Sequence, residues 1–185
     1  TAAAFALGRS MDDEIIAAAT GTAYTGETGS TSTSFLSANA ITESGSDGLT
    51  IAKLRTAKEL LDGGNVDPSI PRFIIIGSQQ LNNLLAITSV TSSDFNSVKA
   101  LVNGEIDTFM GFKFVMSNRL SKTSTKRKVL AYAQDGMKLA LGMDINARID
   151  ERSDKGYATQ VYVCQSIGAT RMEEAKAVSI ECVET

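Results

Sequence analysis

Met110-Gly111-Phe112-Lys113-Phe114-Val115-Met116 is the stretch at which the hydrophobic period of this chain changes. Phe112, Phe114 and Met116 are spaced to face one way and Lys113 and Val115 the other, a period of two that belongs to a strand. Everything C-terminal to it keeps that period. Lys128–Ala133 and Met137–Leu141 read as separate strands, followed by a longer alternation in which Ile145, Ala147 and Ile149 interleave with Asn146, Arg148 and Asp150. Glu151-Arg152-Ser153-Asp154-Lys155-Gly156 then forms a charged hairpin tip. Its return arm runs from Tyr157 to about Gly168, and residues 177–183 close the chain with Val178, Ile180 and Cys182 on one face.

Upstream of Gly104 the period is helical instead. Leu7, Met11, Ile15 and Ala19 recur every four positions across residues 2–20, an amphipathic helix that Gly21 stops. Of the 15 residues from Thr20 to Ser34, 12 are Gly, Ser or Thr, a composition that predicts a loop. Weak strand potential follows over residues 34–42. Thr50 can cap a second helix whose face is Ile51, Leu54, Ala57 and Leu61 and whose stop is Gly63-Gly64. Pro68 and Pro71 lead into Phe73-Ile74-Ile75-Ile76, an all-apolar run expected as a strand covered on both faces. Ser78 is positioned to cap a third helix bearing Leu81, Leu84 and Leu85, and Ser93 or Asp94 to open a short one through Val102. Helices first and strands later make an α+β chain.

Composition narrows the chemistry. The 185 residues include no His, no Trp and two Cys. Without His there is no Ser-His-Asp or Cys-His nucleophile system, no His-ligated metal and no imidazole base, and two Cys cannot build an all-thiolate zinc site. No cofactor or metal is therefore expected. Cys164 and Cys182 fit buried thiols or, less readily, one disulfide. Eighteen Lys and Arg against 21 Asp and Glu leave a net charge of -3, opposite in sign to a DNA-binding domain held by electrostatics. Neither a spanning run of about 20 apolar residues nor a signal segment is evident, so no membrane partner is expected.

Individual motifs remain weak. Gly21-Thr22-Ala23-Tyr24-Thr25-Gly26 has the spacing of a phosphate loop, but Glu27 stands where a Lys is required. Asp12-Asp13-Glu14 and Glu173-Glu174 read as solvated carboxylates on a helix and at a turn. Ser78 lacks the second glycine and the base of a nucleophile elbow. Lys122, Lys126, Arg127 and Lys128 concentrate charge without aromatic residues between them, which suits a solvated loop or a nucleic-acid contact. Glu151, Arg152, Asp154 and Lys155 suit plain solubility or an ion-paired contact with a second copy.

The order of elements resembles the C-terminal two-thirds of tailed-bacteriophage major capsid proteins with the Hong Kong 97-type shell fold. Residues 7–23, Leu-Gly-Arg-Ser-Met-Asp-Asp-Glu-Ile-Ile-Ala-Ala-Ala-Thr-Gly-Thr-Ala, look like the end of that family's spine helix and its glycine turn. The helix at 50–62, the strand at 73–76, the helix from Ser78, the strand at 110–115 and the hairpin around 151–156 have similar counterparts. The resemblance implies an axial domain over about residues 46–141 and a peripheral domain made of 1–45 and 142–185. It also implies a non-enzymatic virion protein made in the cytoplasm of a bacterial host. The subunit would form pentamers and hexamers of itself, meet scaffold and portal proteins, and enclose DNA without sequence-specific contact. The family's N-terminal arm and extended loop have no counterpart in this chain. The rivals are an encapsulin-like nanocompartment shell, a His-free Ser/Lys hydrolase and a small nucleic-acid-binding module centred on Lys122–Lys128.

Overall fold

A computed structural model describes residues 2–42, 47–86 and 108–184 of the chain. The first element, α1 (Ala2–Thr20), is the expected amphipathic helix, with Leu7, Met11 and Ile15 half-buried and Ala19 fully buried. The Gly/Ser/Thr-rich segment beyond it is not wholly a loop. It contains a small antiparallel hairpin, β1 (Ala23–Thr25) with β2 (Thr31–Thr33). Backbone pairing builds this hairpin, and Gly26 and Gly29 take the positive φ its turn requires.

A short 3-10 turn (Ser37–Asn39) leads to β3 (Ala40–Ile41). Helix α2 (Ile51–Gly63) starts as expected, the Thr50 hydroxyl accepting from the N–H of Lys53, and buries Leu54, Ala57 and Leu61. Its stop differs in mechanism from the Gly63-Gly64 signal. Asn65 is the residue in the left-handed region (φ 57), and the N–H of Val66 returns to the Leu61 carbonyl at 3.2 Å. Gly64 is required for another reason: a Cβ there would lie 2.9 Å from the Cβ of Ala175.

The centre of the molecule is a seven-stranded mixed sheet in the order β3, β11, β8, β4, β6, β5, with β7 paired to β8. Its members beyond β3 are β4 (Arg72–Ile76), β5 (Thr108–Phe109), β6 (Phe112–Met116), β7 (Lys122–Thr123), β8 (Lys126–Ala133) and β11 (Ala177–Val183). The all-apolar run of β4 sits between β8 and β6, so both of its edges are paired, and Ile74, Ile75 and Ile76 are buried while Phe73 is half-buried. Ile74, Ile76, Phe112, Val129, Ala131, Val178 and Ile180 form the core with Leu54 and Leu61. The alternation of β6 holds for Phe112 and Phe114, whereas Met116 is exposed.

Helix α3 (Ser78–Leu85) corrects the reading of Ser78: Gly77 is the N-cap, Ser78 is the first helical residue, and its N–H is satisfied by Oδ1 of Asn118 at 2.9 Å. The helix expected from Ser93 or Asp94 lies outside the described residues. The two strands expected between Met137 and Asp150 are one, β9 (Met137–Arg152), paired antiparallel with β10 (Ala158–Arg171) in a two-stranded ribbon. The boundary drawn at 141/142 falls inside β9, and β11 lies in the central sheet between β3 and β8.

Candidate functional site

The ribbon leaves the sheet where β8 ends and returns to it where β11 begins, and its base is tied at both turns. Lys176, in the turn before β11, donates to Asp135, in the turn after β8, at 2.6 Å, and to Glu173 at 3.0 Å. These hydrogen bonds raise the Lys176 pKa, the one to Asp135 most. The N–H of Met172 reaches the Gly136 carbonyl at 2.9 Å. Arg171, the last residue of β10, is buried and gathers four segments. Its Nη1 donates to the carbonyls of Ala19 and Gly21 at 3.0 and 2.9 Å, closing the C-terminal end of α1. Nη2 reaches the Thr33 carbonyl at 3.5 Å, Glu174 stands 3.9 Å away, and the guanidinium lies 5.2 Å from the centre of the Phe35 ring.

Beyond its base the ribbon is covered on its β10 side by α1 and open on its β9 side. Cross-strand partners share a face, so Leu139 opposite Ala169, Leu141 opposite Ile167, Ala147 opposite Val163 and Ile149 opposite Val161 lie on one side. Ile145 falls between them, while Met143, opposite Ser166, takes the other face. The result is a row of aliphatic side chains extending over roughly 30 Å at the rise of a strand. The alternation predicts burial of one face, but Leu141, Ile145 and Ile149 are 55, 48 and 70% exposed. Helix α1 packs mainly along β10, where Gln165 donates to the Leu7 carbonyl at 3.3 Å, and Ile15 closes a cavity of about 200 Å³ with Met137, Leu139 and Ala169. The β9 side of the face stays open.

At the far end Glu151, Arg152, Asp154 and Lys155 come together, all exposed. Arg152 Nε donates to Asp154 Oδ1 at 2.9 Å; this hydrogen bond raises the arginine pKa and lowers that of the aspartate. The pair closes within one tip, so the double substitution Arg152→Ala/Asp154→Ala is expected to leave the thermal midpoint unmoved. A fall of several degrees in differential scanning calorimetry would mean that the tip carries folding energy, against the small worth of exposed pairs.

The basic cluster is not an open patch. Ser124 (φ 57) turns the chain so that β7 and β8 form a hairpin, and the cations meet acids near the end of β11. Lys126 pairs with Glu181 at 3.3 Å, Lys122 with Glu184 at 2.7 Å, and Arg127 with Glu184 through its Nε and Nη2. Lys128 lies opposite Glu181 in the ladder. The buried amide of Gln80 donates to Glu184 at 3.1 Å, and Arg127 Nη1 also reaches the Asn118 carbonyl at 2.8 Å. The hydrogen bond from Arg127, with help from Lys122 and Gln80, holds the Glu184 carboxyl down to about 2, although burial pulls the other way.

Among the described residues no group of three or more acidic or thiol side chains is placed to hold a metal ion. The two cysteines are not joined in a disulfide; Cys182 is buried in the sheet as expected, while Cys164 is only half-buried on the ribbon. Lys53, Arg171 and Glu184 were not singled out by the sequence. Only Lys53 carries a signal, a cation one residue before the buried Leu54 in the first turn of α2; its ammonium is met by the carbonyls of Asp47, Gly48 and Glu181 at 2.8, 2.8 and 3.1 Å.

Comparison with known proteins places this geometry. The sequence profile of a family described as phage capsid protein matches residues 1–184. A solved structure from Mycobacterium phage Che8 superposes with a TM-score of 0.69 at 17% identity, covering 97% of this chain and 61% of that one. The capsid of cyanophage P-SCSP1u gives 0.64 at 18% identity, over 97% and 63%. The SrpI encapsulin complex from Synechococcus elongatus PCC 7942 gives 0.53 at 11% identity, over 80% and 54%. No curated protein matches the sequence. The α+β fold is that of the phage capsid structures, and the chain spans less than two-thirds of the length of each of these three relatives.

Proposed function

Because the chain belongs to the phage capsid protein family, we propose that it is the shell-forming core of a major capsid subunit of a tailed phage or prophage. Copies of it assemble into an icosahedral shell around DNA, in pentamers and hexamers, and the role is structural rather than enzymatic. The observation that carries this reading is the aliphatic row of β9. An isolated protein gains nothing from a long uncovered apolar face and loses solubility through it, whereas a subunit that meets its copies buries it. The axial and peripheral division fits best at the ribbon's base, since the ties at Asp135, Lys176 and Arg171 separate a packed sheet from a projecting arm. The tip residues Glu151, Arg152, Asp154 and Lys155 act as a polar rim to that contact. Lys122, Lys126 and Arg127, already paired with Glu181 and Glu184, add little grip on nucleic acid. Scaffold and portal proteins as partners, and synthesis in a bacterial cytoplasm, complete the proposal. The nanocompartment reading draws on a similar fold at lower coverage.

Electron microscopy of the complete gene product tests this directly. Uniform closed shells containing DNA are expected, and Ile145→Lys/Ile149→Lys should leave subunits that melt normally but form at least tenfold fewer shells. Persistent monomers of the unaltered product would overturn the reading, and shells filled with an enzyme would move it to the nanocompartment.

A further inference from the structure

Among the described residues the ribbon has two strands and no third. A long strand with one apolar face and an unpaired edge is the form that recruits further strands without limit. β9, on the side of the ribbon away from most of α1, has the length and the apolar face, but it is not regular. Asn146 lies opposite Cys164, Met143 opposite Ser166 and Leu141 opposite Ile167, so β9 takes five steps where β10 takes three. Two bulges therefore fall between Leu141 and Asn146. One bulge alone would turn the rest of the aliphatic row to the other face; two restore it. At this place the Asp144 carboxylate accepts the N–H of Ile145 at 2.7 Å, so that this donor is occupied within β9 itself. Gly142 packs against Ser166, where a Cβ would come within 3.1 Å of the hydroxyl oxygen.

We propose that this double bulge, with Asp144 as its plug, stops strand addition on β9, so that copies of the chain can meet through the aliphatic face but not edge to edge. An incoming strand finds the ladder broken near its middle, one donor already taken and a negative charge beside it. The device belongs to the ribbon itself and does not depend on the shell reading.

Three variants of the chain test it. Asp144→Val removes both the acceptor and the charge and should raise thioflavin fluorescence several-fold on incubation, with new amide protection across residues 143–149. Asp144→Asn retains an acceptor oxygen and should stay as soluble as the parent. Asp144→Val/Ile145→Pro, which has no N–H at the edge, should return to parental solubility, a rescue that a merely unfolded chain would not show. The proposal is overturned if Asp144→Val stays soluble with unchanged exchange, or if the proline variant aggregates as strongly as Asp144→Val. Either failure would leave the shell assembly test untouched.

Discussion

Replacing Glu184 by Gln should lower the unfolding free energy by about 3 kcal/mol at neutral pH, a large part of the 5 to 15 kcal/mol typical of a domain. The carboxylate is 5% exposed, and it is the shared partner of Arg127, Lys122 and Gln80. Removing its charge leaves Arg127, itself 16% exposed, without its counter-ion. The loss depends on pH with a definite sign. The folded-state value, about 2, lies below the ordinary 4.5, so the stabilisation is fully present above about pH 4.5 and is lost as the pH falls toward 2. Urea titrations of the parent and Glu184→Gln should therefore differ most at pH 7 and converge by about pH 2. A gap that persists at pH 2 would mean that shape, not charge, makes the contribution. Asp13, held low by its hydrogen bonds from Arg119, is exposed and adds a salt-sensitive component in the same acid range to both proteins. The difference between them isolates Glu184.

Arg171→Met should cost about 3 kcal/mol as well, by a different route, since a charged donor shared among carbonyls is worth roughly 1.5 to 3 kcal/mol for each bond made. Methionine fills much of the volume over Phe35 but leaves the buried carbonyl of Ala19 and the half-buried carbonyl of Gly21 without the guanidinium. Hydrogen exchange should register this locally first. The last turn of α1 and the β1–β2 hairpin lose protection while β4, β8 and β11 keep theirs. Arg171→Lys should recover only part of the loss, because one ammonium cannot span from Ala19 to Thr33. If α1 keeps its protection in the Met variant, the clamp is not what holds the helix to the ribbon.

Elements whose side chains report their own surroundings were legible in the sequence. The period of α1, the Thr50 cap of α2 and the apolar run of β4 each carry the signal locally, and each element stands where the pattern put it. The β1–β2 hairpin was hidden because Gly, Ser and Thr are read as linker, whereas its bonds are made by the backbone. β9 was read as two strands because Gly142 and Asp144 interrupt the alternation. In a strand such residues also mark a bulge, and only the partner's register distinguishes a bulge from a break. The Glu184 cluster and the Arg171 clamp join residues far apart in the chain, and no spacing rule reaches them. The resemblance to capsid proteins rested on element order for this reason: order survives where individual contacts leave no trace in sequence.

The position of β11 in the sheet has a consequence for timing. Ser179 pairs with Ala40 and Ile180 with Ile41, while the other edge of β11 pairs with β8. A strand made early in synthesis must therefore wait for one made late, and the sheet cannot close before residue 183 has been translated. Contacts this distant in sequence slow folding, because the loop between them must be ordered before it is rewarded. A nascent chain can thus pair β4 with β6 and β8 while β3 still waits for its partner. The edge of β8 that β11 covers stays open until that last strand arrives.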